Sequence, residues 1–175
     1  CNLIGIVYVD AVRGVPLIVL AYFIYFGVPS GIKMMGLQNF RMSALQAGTI
    51  ALSMNCGAYM AEIIRAGIES VDKGQMEASR SLGLTYVKSR RLVVLPQAIR
   101  TMIPSIINQF IITLKDTSIL SVIGFPELTN TGKTISGNTF KSLETWAIIG
   151  IMYMVVIITL SKIAKRIERR VSYGR

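Results

Sequence analysis

A charged and polar run, Lys115 to Ser118, interrupts an otherwise apolar stretch of this 175-residue chain. Charged side chains at membrane depth are costly unless they face protein or water. The polar side chains that could line a pathway there are Asn108, which we expect to be a buried amide, Asp116, Thr117 and Ser118. Glu62 is a weaker candidate, because it could merely mark a helix end beside Arg65. The pattern predicts a route or a gate for a small polar solute.

Two simpler interpretations of this run remain open. The apolar segment could end at Leu114, which would leave the charges at the outer interface, or Lys115 could snorkel to that interface. A helix that enters near Arg100 would rise about 21 Å by Leu114, less than a hydrocarbon core of about 30 Å. The residues from Ile119 to Ile123 supply the missing apolar length. This favours charges within the outer half of the bilayer.

The residue types of the chain argue against catalysis. There is no histidine, which removes the commonest general base and metal ligand. Cys1 and Cys56 match no metal-binding or redox spacing, so we expect no metal site. The sequence has neither a Gly-x-Ser-x-Gly elbow nor a Gly-x-x-x-x-Gly-Lys phosphate loop. We therefore expect a chain that is not an enzyme, binds no cofactor and hydrolyses no ATP itself.

Hydrophobic residues make up 52% of the chain and gather in stretches that have no polar face. About 20 mostly apolar residues span a bilayer as a helix. Four segments are candidates for helices that cross or enter a membrane: Val15 to Gly27, Met42 to Ile64, Met102 to Ile123 and Trp146 to Ser161. The second is rich in small residues at four-residue spacing, a pattern that lets helices pack closely in lipid. The sequence thus predicts an all-α membrane protein.

The net charge of +10 is distributed unevenly between the apolar segments. With four alternating crossings, fourteen basic residues lie on one side and four on the other. Most of the fourteen fall in the stretch from Arg65 to Arg100 and in the C-terminal stretch that begins with Lys162. The positive-inside rule places these parts and the C-terminus in the cytoplasm. The basic charge is explained by topology, and we expect no binding of nucleic acid.

The stretch from Asp72 to Ala98 predicts two short helices with a glycine corner. Gly74 could break the chain direction, and the residues from Gln75 to Leu82 have the composition of a short helix. Gly83 suits the left-handed conformation at a helix end, and Thr85 could cap a second helix. Pro96 should stop whatever helix runs up to it.

This loop resembles the EAA loop of bacterial ATP-binding-cassette importer permeases. The family pattern is Glu-Ala-Ala, three residues, Gly, nine residues, Ile, one residue, Leu-Pro. The matching positions are Glu77, Ala78, Ser79, Gly83, and the Val93-Val94-Leu95-Pro96 run, with Ser for the second Ala and Val for Ile. Five positions in register over about 20 residues, in a basic loop between apolar segments, make this a specific match.

Other stretches resemble the polar amino acid branch of that family, and together they cover essentially the whole chain. They are Arg13-Gly14-Val15-Pro16, Phe23 to Pro29, Ala58 to Arg65, and Leu114-Lys115-Asp116-Thr117-Ser118. Family members carry one more N-terminal membrane helix. We therefore expect that this chain, which opens at Cys1 without a leader pattern, begins just after that helix.

The resemblance implies a type I importer permease fold with one domain over residues 1–175 and an ATPase-docking loop over about 66–100. The coupling residues it implies are Glu77, Ala78, Ser79, Gly83, Leu95 and Pro96. The small residues Ala78 and Ser79 would sit deep in a groove of the partner. The implied partners are an ATPase subunit that hydrolyses ATP, a second permease subunit, an external substrate-binding protein and the bilayer of the bacterial cell membrane.

A secondary transporter or channel that runs on an ion gradient is the main alternative. Inverted repeats and broken helices near the midplane would support it, but the Lys115–Ser118 run has no second copy. The motifs do not distinguish importers of glutamine, glutamate, arginine, histidine or cystine. Nor do they distinguish a homodimeric from a heterodimeric permease.

Overall fold

The computed structural model describes residues 3–37 and 39–172, and every element in these ranges is helical. The elements are α1 (Leu3–Gly14), α2 (Leu17–Tyr22), a π-helical turn (Phe23–Gly27), α3 (Val28–Met34), α4 (Ala44–Glu69), α5 (Lys73–Ser81), α6 (Tyr86–Ser89), a second π-helical turn (Arg90–Val94), α7 (Leu95–Asp116), a 3₁₀ helix (Thr117–Ile123), α8 (Leu128–Thr139) and α9 (Ser142–Ser172). The predicted all-α class is confirmed. Cys1 and Arg175, which the terminal predictions invoke, lie outside the described residues.

Three helical runs within the described residues are long and apolar enough to cross a membrane: Leu17–Met34, Tyr86–Ile123 and Ser142–Glu168. The predicted second segment forms α4, whose 26 residues rise about 39 Å and so exceed a core of about 30 Å. Its composition is more polar than that of the three runs, because small and polar residues face its neighbours. It begins at a capping box in which Gln46 N–H donates to Ser43 Oγ at 3.2 Å and Ser43 N–H donates to Gln46 Oε1 at 3.0 Å.

Pro96 does not stop a helix, contrary to the prediction, and Pro29 does not stop one either. The first segment continues past Gly27 to Met34, and α7 continues directly from the turn that precedes Pro96. Each proline lies two residues after the end of a π-helical turn. In such a turn an N–H bonds to the carbonyl five residues back, as Leu95 N–H does to Arg90 O. A proline has no N–H to donate, so it is tolerated near the start of a helical stretch. The third run is therefore 38 residues long and begins well before the predicted Met102.

The Lys115–Ser118 run marks a change of helix type. α7 continues through Asp116 and then tightens into the 3₁₀ helix, which ends at Gly124 with φ +78°. The helix itself does not end at Leu114, and the helical run continues to Ile123. The following 3₁₀ helix contributes Leu120 and Ile123 to the buried core, so tertiary packing holds this change in place.

Two helices were not predicted from the sequence. α1 contacts α4, and Tyr8 Oη donates to the carbonyl of Met54 at 3.0 Å. α8 is polar, and it is capped by Glu127, whose carboxylate accepts from Asn130 N–H at 2.6 Å and from the Tyr153 hydroxyl at 2.8 Å. Each helix has 12 residues, which is too short to span a bilayer, and α8 is polar as well.

Close helix packing centres on α4. Its buried residues are Ala47, Gly48, Ala51, Asn55, Ala58 and Gly67. A side chain at Gly48 would overlap the ring of Phe125, and one at Gly67 would overlap Met102. The small-residue pattern thus serves packing on this face, whereas Ser53, Gly57 and Ala61, which also follow the four-residue spacing, are exposed.

Candidate functional site

A cleft with polar walls lies where α1 and α2 are separated. Pro16 sits at the start of α2 with ψ 140°, an extended conformation that interrupts the helix, and its carbonyl accepts from Val19 N–H at 3.0 Å. The open space at this break has a volume of about 480 Å³ and faces α4 and α7. Its polar walls are formed by Arg13, Asn55, Tyr59, Gln109 and Asp116, and Ile112 adds an apolar surface.

The inner wall of the cleft carries two amides on neighbouring membrane helices. Asn55 on α4 and Gln109 on α7 are each 6% exposed, although both are polar. The Gln109 amide donates to Thr113 Oγ1 at 3.5 Å, a long contact that leaves hydrogen-bonding capacity toward the cleft. Buried polar groups are costly unless they are satisfied, so their clustering around a cleft suits a polar ligand.

The cleft is lined by side chains of opposite charge. Asp116, at the end of α7, is half-buried in the wall. Arg13, at the end of α1, lies with its guanidinium carbon 5.4 Å from the ring centroid of Tyr59, and its Nη1 lies 3.4 Å from Glu62 Oε2. A ligand with one cationic and one anionic group could therefore find a partner for each in the same cleft.

Glu62 acts on this cleft through Arg13. It does not line the cleft, but its carboxylate joins Arg13 of α1 to Arg65 of α4, whose Nη2 lies 2.5 Å from Glu62 Oε1. Arg65 is held in turn by Glu69 at 2.6 Å. Ion pairs this exposed contribute little stability because solvent screens them. Their effect is to fix where the Arg13 guanidinium points.

The other predicted pathway residues point elsewhere. Thr117 Oγ1 donates to Leu114 O at 2.7 Å, and Ser118 lies with Lys115 against α9, in a separate cavity that includes Tyr153. The prediction that Asn108 is a buried amide is wrong: Asn108 is exposed, and the buried amide is the next residue, Gln109. One residue turns a helix by about 100°, so neighbours in sequence face different surroundings.

The loop between α4 and α7 has the predicted corner. Gly83 adopts φ +84°, Leu84 N–H donates to Ser79 O at 3.2 Å, and Gly83 N–H donates to Arg80 O at 2.9 Å. This pair of bonds is the Schellman motif that glycine permits at a helix end. Thr85 precedes α6 in an extended conformation, although its side chain makes no capping bond.

The start of the first loop helix differs from the prediction. Gly74 does not break the chain. It lies in the first turn of α5, where its N–H donates to Asp72 Oδ1 at 2.6 Å. Asp72 is therefore a helix cap that the sequence analysis missed, and α5 begins two residues earlier than predicted.

The two faces of α5 have different surroundings. Glu77 and Ala78 are exposed, and Leu82 at the corner is 85% exposed. Ser79, expected to enter a partner's groove together with Ala78, is 4% exposed and is buried within its own chain. The burial follows from the contact between α5 and the helical segment that follows the corner. Leu95 and Pro96 lie where that segment continues into α7.

The residues that the sequence analysis missed are Arg13, Asn55, Tyr59 and Gln109. For Asn55 and Gln109, the available signal was an amide side chain within an apolar helix. Within the described part of the chain, no group of three metal-ligating acidic or cysteine side chains lies together.

Comparison with known proteins gives consistent results. A family model described as "Binding-protein-dependent transport system inner membrane component" matches residues 3–173. The glutamine transport system permease protein GlnP of Escherichia coli (strain K12) is 39% identical over 169 residues, which cover 97% of this chain and 75% of that protein. The arginine transport system permease protein ArtQ of Bacillus subtilis (strain 168) is 37% identical over 163 residues, which cover 93% of this chain and 72% of that protein.

Two solved structures resemble the fold. An amino acid ABC transporter, crystallised with histidines, matches with a TM-score of 0.87 and 42% sequence identity, over 97% of this chain and 76% of that one. The MetNI methionine ABC transporter in inward-facing conformations matches with a TM-score of 0.74 and 20% identity, over 93% of this chain and 72% of that one. The second likeness supports the fold alone.

Proposed function

This chain belongs to the family of inner-membrane components of binding-protein-dependent transport systems, and we propose that it is the permease subunit of an ATP-driven importer of polar amino acids. The observation that carries the substrate class is the cleft between α1, α2, α4 and α7, which offers a guanidinium, a carboxylate and two buried amides. Relatives named for glutamine and arginine transport support the same class.

The cleft suits the groups that every free amino acid carries. Its volume of about 480 Å³ falls within the usual range for small-molecule sites. Asp116 would pair with the α-ammonium group, and Arg13 would pair with the α-carboxylate. Asn55 and Gln109 would accept or donate to a polar side chain. Thr117, Ser118 and Asn108 lie outside this cleft and are not part of the proposed substrate site. Glu62 would orient Arg13.

Coupling to ATP would occur at the exposed face of α5. A separate ATPase subunit would bind Glu77 and Ala78, while Gly83 sets the corner and Leu95 and Pro96 begin the helix that leads to Asp116. Ser79 would support this face from inside the chain. ATP would be hydrolysed by that partner, and this chain would bind no cofactor and carry out no catalysis.

The proposed assembly has one permease domain over residues 1–175, paired with a second permease subunit of the same or another sequence. An external binding protein would deliver the substrate to the outer side. The loop over about 66–100 and the C-terminus would face the cytoplasm, as the basic residues indicate. The three apolar runs support a multi-pass protein of the cell membrane.

The experiment expresses the complete permease with its candidate ATPase and tests whether the two co-purify in detergent. We expect co-purification, and we expect ATP-dependent uptake in vesicles that also contain the binding protein. If uptake followed an imposed ion gradient without ATP, an ion-driven transporter would be the correct class. A reporter fused after Arg175 tests topology separately, and activity on the outer side would overturn the docking assignment.

A further inference from the structure

A second, smaller crevice lies between α7 and the C-terminal half of α9. Its volume is about 140 Å³, and its walls divide into two kinds. Ile107 and Ile111 of α7 form an apolar side. Its polar lining consists of Asn108, Ser161, Lys165 and Glu168. This crevice shares no lining residue with the cleft that contains Asp116.

The polar groups are ordered along α9. α7 and α9 run antiparallel, because Lys115 meets Gly150 in one cavity whereas Pro104 meets Lys165 in the other. The apolar part of α9 precedes Ser161, so Ser161 is the deepest of its polar residues here. Lys165 lies about 6 Å nearer to the water, and Glu168 lies about 4.5 Å beyond it, at about 1.5 Å per residue. The order outward is a hydroxyl, an ammonium and a carboxylate.

Lys165 and Glu168 are available to a ligand. Among the residues that the structure describes, the ion pairs within 4 Å involve only Arg13, Glu62, Arg65 and Glu69. Both side chains are exposed, and three-residue spacing places them on one side of α9. Pro104 contributes to the same crevice and has no N–H for the carbonyl one turn before it, a feature that commonly bends helices.

We propose that this crevice binds the headgroup of a phospholipid that carries a primary ammonium group. The apolar wall contacts the glycerol and the upper acyl chains. The phosphate lies beside Lys165 and accepts from the Ser161 hydroxyl and the Asn108 amide. The ammonium, which is farther from the membrane centre in such lipids, lies beside Glu168. This order matches the polar groups on α9.

The presence of Glu168 selects among lipid headgroups. A phosphatidylglycerol headgroup has no cation for Glu168, and its net negative charge would be repelled by that carboxylate. The quaternary ammonium of phosphatidylcholine has no N–H to donate to it. Basic crevices between membrane helices bind anionic lipids. Here a carboxylate lies one turn outward from the lysine, so the crevice fits a zwitterionic headgroup whose ammonium can donate a hydrogen bond to that carboxylate. The inference does not depend on the transported substrate or on which leaflet is involved.

The test uses the complete transporter, delipidated in detergent and titrated with phosphatidylethanolamine, phosphatidylcholine or phosphatidylglycerol under native mass spectrometry. We expect the first phosphatidylethanolamine to bind at least fivefold more tightly than either other lipid. Lys165→Gln and Glu168→Gln should each remove most of that preference. Lys162→Gln is the matched control, because Lys162 lies on the same helix outside the crevice and should leave the preference unchanged.

Each alternative result would overturn the proposal in a distinct way. Equal affinities for the three lipids in the unaltered protein would mean only non-selective lipid contact. Tighter binding of phosphatidylglycerol, increased further by Glu168→Gln, would identify an anionic-lipid site instead. A preference for phosphatidylethanolamine that survives both substitutions would place the site elsewhere on the complex. Because binding is measured directly, failure of amino acid uptake would not affect the outcome.

Discussion

The corner at Gly83 and the cleft beside Asp116 are built in different ways. The corner is held by hydrogen bonds between residues no more than five apart, such as Leu84 N–H to Ser79 O. The cleft is assembled from four helices, and its walls extend along the sequence from Arg13 to Asp116. A local structure depends on the identity of a few residues. A cleft between helices depends on how distant segments pack, so a change in any wall can alter it.

The largest expected effect is at the corner. Gly83→Val places a β-branched residue at φ +84°, where strain of about 1–3 kcal/mol acts on the loop proposed to meet the ATPase. We expect uptake to be abolished while the protein remains inserted in the membrane. Gly83→Asn is the matched control, because asparagine tolerates the left-handed conformation, and it should retain most of the uptake.

The measurement is ATP-dependent uptake at equal membrane abundance, together with the amount of ATPase that co-purifies. Normal uptake by the Gly83→Val variant would show that the corner is not a coupling element. Equal loss in both variants would show that glycine is needed for space or contact and not for its backbone conformation.

The next effect concerns the cleft. Asp116→Asn removes a charge proposed to pair with the substrate ammonium, and a hydrogen bond to a charged group contributes about 1.5–3 kcal/mol. We expect the substrate concentration for half-maximal uptake to rise by roughly ten- to a hundredfold. Ser118→Ala is the control, since Ser118 lies in the cavity against α9 and should change that concentration little.

Thiol labelling separates the two positions more directly. In a background without cysteine, Asp116→Cys should react with a water-soluble reagent, and substrate should slow the reaction. Ser118→Cys should show no such protection. If Asp116→Cys stayed unreactive and Asp116→Asn transported normally, the pathway assignment would be wrong and the change of helix type there would be structural.

Features that depend on local contacts could be predicted from the sequence, whereas features that depend on distant contacts could not. The α5–Gly83–α6 arrangement was predicted because glycine at a helix end is a local signal. Pro96 was misjudged because a preceding π-helical turn adapts the hydrogen bonds around it. α1 and α8 were not predicted because each has only 12 residues, which is shorter than a membrane-spanning helix.

The candidate site was less predictable than the fold. Asp116 was identified from its charge in an apolar segment, but the same argument selected Asn108 one position from the buried Gln109. Charge or polarity in an apolar segment indicates that a residue needs a partner, and it does not indicate which helix provides one. Asn55 and Arg13 lie on helices far away in sequence, so their placement required the packed structure.

A smaller effect is expected at the exposed face of α5. Glu77→Lys reverses a charge that the proposal places against the ATPase, without changing the fold of the loop. We expect about a tenfold loss of affinity for the ATPase, which corresponds to about 1.4 kcal/mol. Titration of the purified ATPase onto permease in nanodiscs measures this loss, with Glu144→Lys as a control at the start of α9. An unchanged affinity would remove Glu77 from the contact.

The smallest effect distinguishes the two faces of α5. The hydroxyl of Ser79 donates to Met76 O at 2.9 Å within the same helix, and the side chain is buried against its own chain. Ser79→Ala removes that one bond, so the melting temperature should fall slightly, as for a loss of about 0.5–1.5 kcal/mol. The affinity for the ATPase should not change. Ala78→Leu should leave the melting temperature unchanged and weaken docking. Ala78 is exposed, so the larger leucine side chain meets the ATPase and not the interior of the permease. If Ser79→Ala weakened docking as much as Glu77→Lys does, Ser79 would contact the partner after all, and α5 would have to rotate when the ATPase binds.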